Sequence, residues 1–78
     1  MRVVIAKVNE VFFDGEAASM TLPGAEGELM VLGEHEPLIT TLKEGVITVR
    51  LGGTEPEQNF PIVGGVLEVR RDGATVIL

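Results

Sequence analysis

The chain has 78 residues, enough for one domain spanning residues 1–78, and its 45% hydrophobic content is sufficient for a packed core. Twelve acidic residues against six basic ones give a formal net charge of −6, which argues against binding a nucleic-acid backbone or, unaided, an anionic membrane. The absence of cysteine excludes both disulfides and thiolate metal sites.

The residue types favour strands over helices. Valine, isoleucine and threonine, whose branched Cβ atoms suit a pleated sheet, make up 22 of the 78 residues. Ten glycines and four prolines divide the apolar runs into short pieces, and no long window free of them carries a helical apolar stripe. No run approaches the roughly 20 apolar residues that span a bilayer. The composition predicts an all-β, soluble, intracellular protein with no direct membrane insertion.

The first part of the chain predicts three strands. Residues 2–8 are apolar at most positions, which predicts a strand buried on both faces. A second strand at 11–13 is expected to end in a turn at Asp14-Gly15, a pair that accepts positive φ angles. Residues 17–22 alternate in type, with the even-numbered side chains on one face, which predicts a half-buried strand.

The middle of the chain is divided by turn residues. Pro23-Gly24 predicts a turn, because proline presets its second position and glycine accepts the third. A strand is expected at 28–32, followed by an irregular segment at 33–37. Residues 38–42 are apolar enough to be placed in the core.

The last part predicts four more strands. Residues 46–51 alternate and should point Ile47, Val49 and Leu51 inward, and the polar residues 52–58 form the longest connection. Further strands are expected at 60–63, 66–70 and 74–78, separated by Gly64-Gly65 and Asp72-Gly73. The predicted fold class is all-β, a flattened β-sandwich or barrel of about eight to ten short strands.

Candidate catalytic and ligand-binding residues form no recognisable constellation. The single serine, Ser19, lies in a predicted strand and the single histidine, His35, in a loop, so a catalytic triad is not indicated. In an extended chain the side chains of Glu34 and Glu36 point away from that of His35, which argues against a shared metal ion. No dinucleotide or P-loop motif is present. The residues predict a non-enzymatic β-domain, without metal or cofactor, that functions through contacts with other proteins.

Several short runs, in a fixed order and spacing, make the chain similar to one known family. They are FDGEA (13–17), LPGAEGEL (22–29), VL (31–32), His35, PLIT (37–40), LKEG (42–45), GGVLEV (64–69) and ATVIL (74–78). In this register the chain resembles the N-terminal domain of the epsilon subunit of F-type ATP synthases, called delta in mitochondria, over nearly its whole length.

The resemblance implies a function without an active site. A domain of this family is expected on the central rotor, holding the gamma subunit and the membrane c-ring together and so coupling proton translocation to ATP synthesis. It reaches the catalytic alpha/beta assembly only indirectly, and it lies peripherally at the cytoplasmic face of the cell membrane. Because the chain stops at Leu78, where most relatives continue into a two-helix hairpin, the resemblance also implies a short form without that hairpin.

The resemblance also implies where the partners bind. The c-ring is expected to contact Gly27, Glu28, Leu29, Met30 and His35, and a sandwich face is expected to contact gamma. Met30 stands where the family usually has glycine. Two alternatives come from other classes of protein: a free-standing β-sandwich adaptor unrelated to the synthase, and a small-molecule or carbohydrate binder. The second is disfavoured, since the only aromatic residues are three phenylalanines.

Overall fold

The computed structural model describes residues 1–33 and 36–78, and all of its regular structure in these ranges is β-strand. The nine strands are β1 (Arg2–Lys7), β2 (Glu10–Glu16), β3 (Ser19–Gly24), β4 (Gly27–Leu32), β5 (Leu38–Leu42), β6 (Gly45–Arg50), β7 (Gln58–Ile62), β8 (Gly65–Arg70) and β9 (Gly73–Ile77). The predicted all-β class and the predicted range of strand number are confirmed.

The nine strands form one continuous sheet that divides into two parts. The first part has the order β2-β1-β9-β8-β5, and the second has the order β4-β3-β6-β7. Neighbouring strands are antiparallel except β1 and β9, the strands nearest the two chain ends, which run parallel and side by side. The first part therefore depends on contacts between residues far apart in sequence.

The two parts of the sheet meet at a corner between β3 and β5. Gly24 pairs with Leu42 there, and the amide nitrogen of Ala25 donates to the carbonyl oxygen of Thr41 at 3.0 Å. At the other end of the strand order, the rings of Phe13 on β2 and Phe60 on β7 meet edge to face with centroids 6.1 Å apart. Strands β2 and β7, the two ends of the strand order, thus approach each other, and the sheet curls around its core as a half-barrel.

The core is formed by alternate residues of strands from both parts. The alternation predicted for β6 is confirmed, since Ile47 and Val49 are fully buried. Apolar side chains that are at most 2% exposed come from β1, β3, β4, β6, β8 and β9: Val3, Ile5, Met20, Leu22, Val31, Ile47, Val49, Leu67, Val69, Ala74 and Val76. They form a single cluster enclosed by the curl of the sheet.

Strands β1 and β5 bury one face rather than two. In β1, Val3 and Ile5 are fully buried, whereas Val4 and Ala6 are only half-buried. In β5, Leu42 is buried but Ile39 is 71% exposed. The predictions that the first strand is buried on both faces and that residues 38–42 lie in the core are therefore wrong, because the curled sheet has only one inner face and period-2 geometry directs every second side chain outward.

The prediction of a turn at Asp14-Gly15 is wrong, because both residues continue β2. They pair with Val4 and Val3 of β1, and the Arg2 side chain donates from Nε to Oδ1 of Asp14 at 2.8 Å. The ladder instead has an irregularity between Ile5 and Ala6, where β2 carries an extra residue. Cross-strand pairing therefore overrides the local turn preference.

The turn predicted at Pro23-Gly24 is also displaced, since both residues belong to β3 and the turn lies at Ala25 and Glu26. The Pro23 carbonyl oxygen accepts a hydrogen bond from the Lys43 amide nitrogen at 2.9 Å, at the corner of the sheet. Proline can occupy this strand because no regular ladder pairing with β5 or β6 is made at its own position. The strand predicted at 17–22 begins at Ser19, and Ala18, which precedes it, is exposed.

Replacing Leu67 with alanine is expected to lower the free energy of unfolding by about 2–5 kcal/mol. Leu67 is fully buried in the cluster, so truncation leaves a cavity. Urea unfolding followed by circular dichroism measures the effect, and Leu32→Ala is the matched control, because Leu32 is 52% exposed. The control should change stability by less than about 0.5 kcal/mol. Equal losses in the two variants would contradict the assigned core.

Candidate partner-binding surfaces

The described part of the chain, residues 1–33 and 36–78, contains no group of three or more side chains arranged to hold a metal ion. Ser19 is 8% exposed and lies in β3. The predictions for His35 and for Glu34 concern residues outside those that the structure describes. What the described residues do present are exposed apolar side chains, which mark interaction surfaces when they are contiguous.

One surface is the outer side of β4, the edge strand of the second part of the sheet. Its side chains alternate, so that Glu28, Met30 and Leu32 point outward while Leu29 packs against the core. Met30 is 56% exposed and Leu32 is 52% exposed. We call Glu28, Met30 and Leu32 the β4 outer face. It combines one carboxylate with two exposed apolar side chains.

The β3–β4 hairpin also shapes a cleft next to the β4 outer face. Its turn, at Ala25 and Glu26, is followed by Gly27 with φ of 137°, an angle that favours glycine. The cleft has a volume of about 310 Å³ and is lined by residues 24–29 together with Leu38 and Thr40 of β5. Glu26 and Glu28 are its charged residues, so the cleft is acidic and suits a basic partner.

The residues expected to contact the c-ring are thus partly brought together. Glu28 and Met30 lie on one side of β4, Gly27 opens the strand, and the Leu29 side chain lies on the opposite side. Leu32 was not among the predicted residues. Its outward position follows from the alternation that places Val31, its neighbour, in the core at 1% exposure.

A second surface lies on the outer side of the first part of the sheet. Strand register places Ala6 beside Val11 on one side and Ile77 on the other, and Ile77 beside Val66. Val11, Ile77 and Val66 are 62%, 53% and 41% exposed. We call Val11, Ala6, Ile77 and Val66 the apolar row. It crosses β2, β1, β9 and β8 in one line.

Polar residues flank the apolar row. The next row across the same strands carries Asp14, Thr75 and Glu68 at registered positions. Nη1 of Arg70 lies 3.1 Å from both Oε1 of Glu68 and Oγ1 of Thr75. Exposed ion pairs of this kind contribute little to stability. An apolar strip with a polar rim is the anatomy of a protein–protein interface.

An open apolar groove is lined in part by residues that are sequence neighbours of the apolar row. It has a volume of about 550 Å³, and its walls include Phe12, Val46, Pro61, Val63 and Leu78. Phe12 follows Val11, Leu78 follows Ile77, and Lys7 Nζ lies 5.8 Å from the centroid of the Phe12 ring. Sequence reasoning assigned neither the groove nor the apolar row, although apolar residues at the outward positions 66 and 77 are a signal for the latter.

These features define a class of protein: a small β-sandwich domain with two separate exposed apolar surfaces on its sheet. The profile of the family described as "ATP synthase, Delta/Epsilon chain, beta-sandwich domain" matches residues 1–78, and the chain belongs to this family. This confirms the resemblance seen in the sequence. No helix in residues 1–33 and 36–78 has the length and apolar character needed to cross a bilayer.

Similar proteins support the same assignment. The chain is 39% identical over 77 residues to the ATP synthase epsilon chain of Herminiimonas arsenicoxydans, covering 99% of this chain and 55% of that one. It is 38% identical over 68 residues to the epsilon chain of Rhodopseudomonas palustris strain BisB5, covering 87% of this chain and 49% of that one. The chain therefore spans about half the length of the curated relatives that it matches.

Two solved structures share the fold. A chain in the Euglena gracilis mitochondrial ATP synthase, a structure comprising OSCP, F1 and c-ring, superposes with a TM-score of 0.87 at 25% identity, covering 96% of this chain and 48% of that one. A chain in the Tetrahymena thermophila mitochondrial ATP synthase central stalk and c-ring superposes with a TM-score of 0.79, covering 97% and 60%. At 17% identity the second likeness concerns the fold alone.

Proposed function

We propose that the chain acts as a non-catalytic rotor subunit of an F-type ATP synthase, joining the gamma subunit to the c-ring so that proton translocation is coupled to ATP synthesis. The observation that carries the proposal is the pair of exposed apolar surfaces, the β4 outer face and the apolar row, on different parts of one sheet in a chain of this family. A joint between two partners needs two such surfaces.

The β4 outer face with its acidic cleft is the proposed c-ring contact. Loops of the ring that carry basic residues would be attracted by Glu26 and Glu28, while Met30 and Leu32 supply apolar area. The ring lies in the membrane, so a domain bound to it would be peripheral, and we propose the cytoplasmic face, which the family resemblance implies.

The apolar row is the proposed gamma contact. Its side chains come from four hydrogen-bonded strands, so their spacing is fixed by the backbone ladder rather than by a mobile loop. A rigid apolar strip can transmit torque without shear, because many cross-strand bonds must break together before it deforms. The catalytic alpha/beta assembly is reached only through gamma, and the proposed role requires no cofactor.

Replacing Glu28 with lysine is expected to weaken c-ring binding by about 2 kcal/mol, or roughly 30-fold, because a desolvated ion pair becomes a repulsive one. Glu28 is exposed and pairs across the ladder with Pro23, so the thermal midpoint should stay unchanged. The readouts are ATP-driven proton pumping in reconstituted vesicles, ATPase activity and the thermal midpoint.

The matched control is Glu55→Lys, which makes the same charge change in the exposed connection between β6 and β7. It should leave proton pumping unchanged. Equal pumping by the Glu28→Lys variant and the wild-type chain, at normal assembly, would remove the β4 outer face from the c-ring contact. A fall in the thermal midpoint would make Glu28 a structural residue.

A further inference from the structure

Met30 differs from the other two methionines of the chain in its accessibility. Met20 is fully buried in the core. Met1 is partly buried against the core, and its amino group donates a hydrogen bond to the carbonyl oxygen of Ala17 at 2.9 Å. The Met30 side chain is 56% exposed on the β4 outer face. A dissolved oxidant therefore reaches the Met30 thioether first.

We propose that Met30 is a selective and reversible oxidation site, at which a peroxide weakens docking of the β4 outer face; the effect on docking rests on the proposed function. The thioether sulfur attacks one peroxide oxygen, an S–O bond forms and the O–O bond breaks. The sulfur is oxidised by two electrons to the sulfoxide. The transferred oxygen gives up its proton to the leaving hydroxide or alkoxide, which departs as water or an alcohol. Methionine sulfoxide reductases reverse the change.

The position of Met30 in the ladder determines what the added oxygen does. Met30 lies opposite Thr21 on β3 and two residues from Leu32, so its outward side chain shares the exposed side of the sheet with that of Leu32. In the free chain the sulfoxide oxygen stays hydrated, and folding is unaffected. Within an interface the same oxygen must lose its water, which costs free energy unless a donor replaces it. Oxidation should therefore weaken docking and spare stability.

The oxidation step is tested on the full chain with hydrogen peroxide and peptide mapping by mass spectrometry. Met30 is expected to gain one oxygen at least about tenfold faster than Met20, which is the internal control for burial. The thermal midpoint of the singly oxidised chain should match that of the untreated chain. Equal oxidation rates at the two residues, or slower oxidation at Met30, would overturn the proposed site.

The docking step is tested by binding to detergent-solubilised c-ring. Peroxide treatment should weaken binding about tenfold, equivalent to about 1.4 kcal/mol, and sulfoxide reductase should restore it. The volume-conserving variant Met30→Leu should bind equally before and after peroxide. Unchanged binding by the oxidised wild-type chain, or equal losses in the variant, would overturn the effect on docking. Failure of the untreated chain to bind would overturn the proposed function and this effect with it, while peptide mapping still decides the oxidation site.

Discussion

Replacing Gly73 with alanine is expected to abolish the folded state. Gly73 opens β9 and pairs with Arg2 in the parallel ladder and with Arg70 in the antiparallel one. A Cβ atom at this position would overlap the backbone oxygen of Arg2 and lie 3.1 Å from its carbonyl carbon. Relief of the clash requires β1 and β9 to separate. The expected loss exceeds about 4 kcal/mol, which approaches the whole stability of a small domain.

Circular dichroism and thermal unfolding of the Gly73→Ala variant measure this loss. The matched control is Gly33→Ala, since a Cβ atom at Gly33 meets no atom within 4 Å and its φ lies outside the left-handed region. The control should keep the wild-type strand spectrum and thermal midpoint. A cooperative transition at the wild-type temperature in Gly73→Ala would contradict the close β1–β9 pairing.

Replacing Val66 with glutamate is expected to abolish detectable gamma binding while the chain stays folded. Val66 is 41% exposed in the apolar row, beside Ile77, and a carboxylate there would be buried against gamma without a partner. Affinity should fall at least about 100-fold, or about 2.7 kcal/mol. Because the side chain points outward, opposite the buried Leu67, the thermal midpoint should change little.

The cross-control for Val66→Glu is Leu32→Glu on the β4 outer face. It makes the same kind of change at a side chain that is 52% exposed. Isothermal titration against purified gamma should show wild-type affinity for Leu32→Glu and no saturable binding for Val66→Glu. Wild-type gamma affinity in Val66→Glu would eliminate the apolar row as the gamma contact.

The predictable parts of the fold are those that depend only on the pattern of apolar and polar residues along a single strand. The alternation around Ile47 and Val49 gave the correct inner face of β6, because period-2 burial needs no knowledge of neighbouring strands. Asp14-Gly15 and Pro23-Gly24 were misread as turns, because pairing with β1 and the corner with β5 decide their conformation. Those partners are distant in sequence.

The same distinction applies to the surfaces. The turn signals predicted a strand at 28–32, and the alternation of β4 places Glu28 and Met30 on one face of it, whereas their contact with the c-ring was implied only by the family resemblance. The apolar row was not predicted, since it exists only because β9 pairs in parallel with β1 and brings Ile77 beside Ala6. No periodicity within one strand reveals that a parallel neighbour comes from the other end of the chain.

The central claim, that the chain joins gamma to the c-ring through two separate surfaces, is tested most directly by retention of gamma on immobilised c-ring. The wild-type chain is expected to increase the amount of gamma retained. Glu28→Lys should lose the ring but still bind gamma in solution, and Val66→Glu should stay on the ring without carrying gamma. The claim would be contradicted if the same amount of gamma were retained in all four cases: with the wild-type chain, with each of the two variants, and with no chain added.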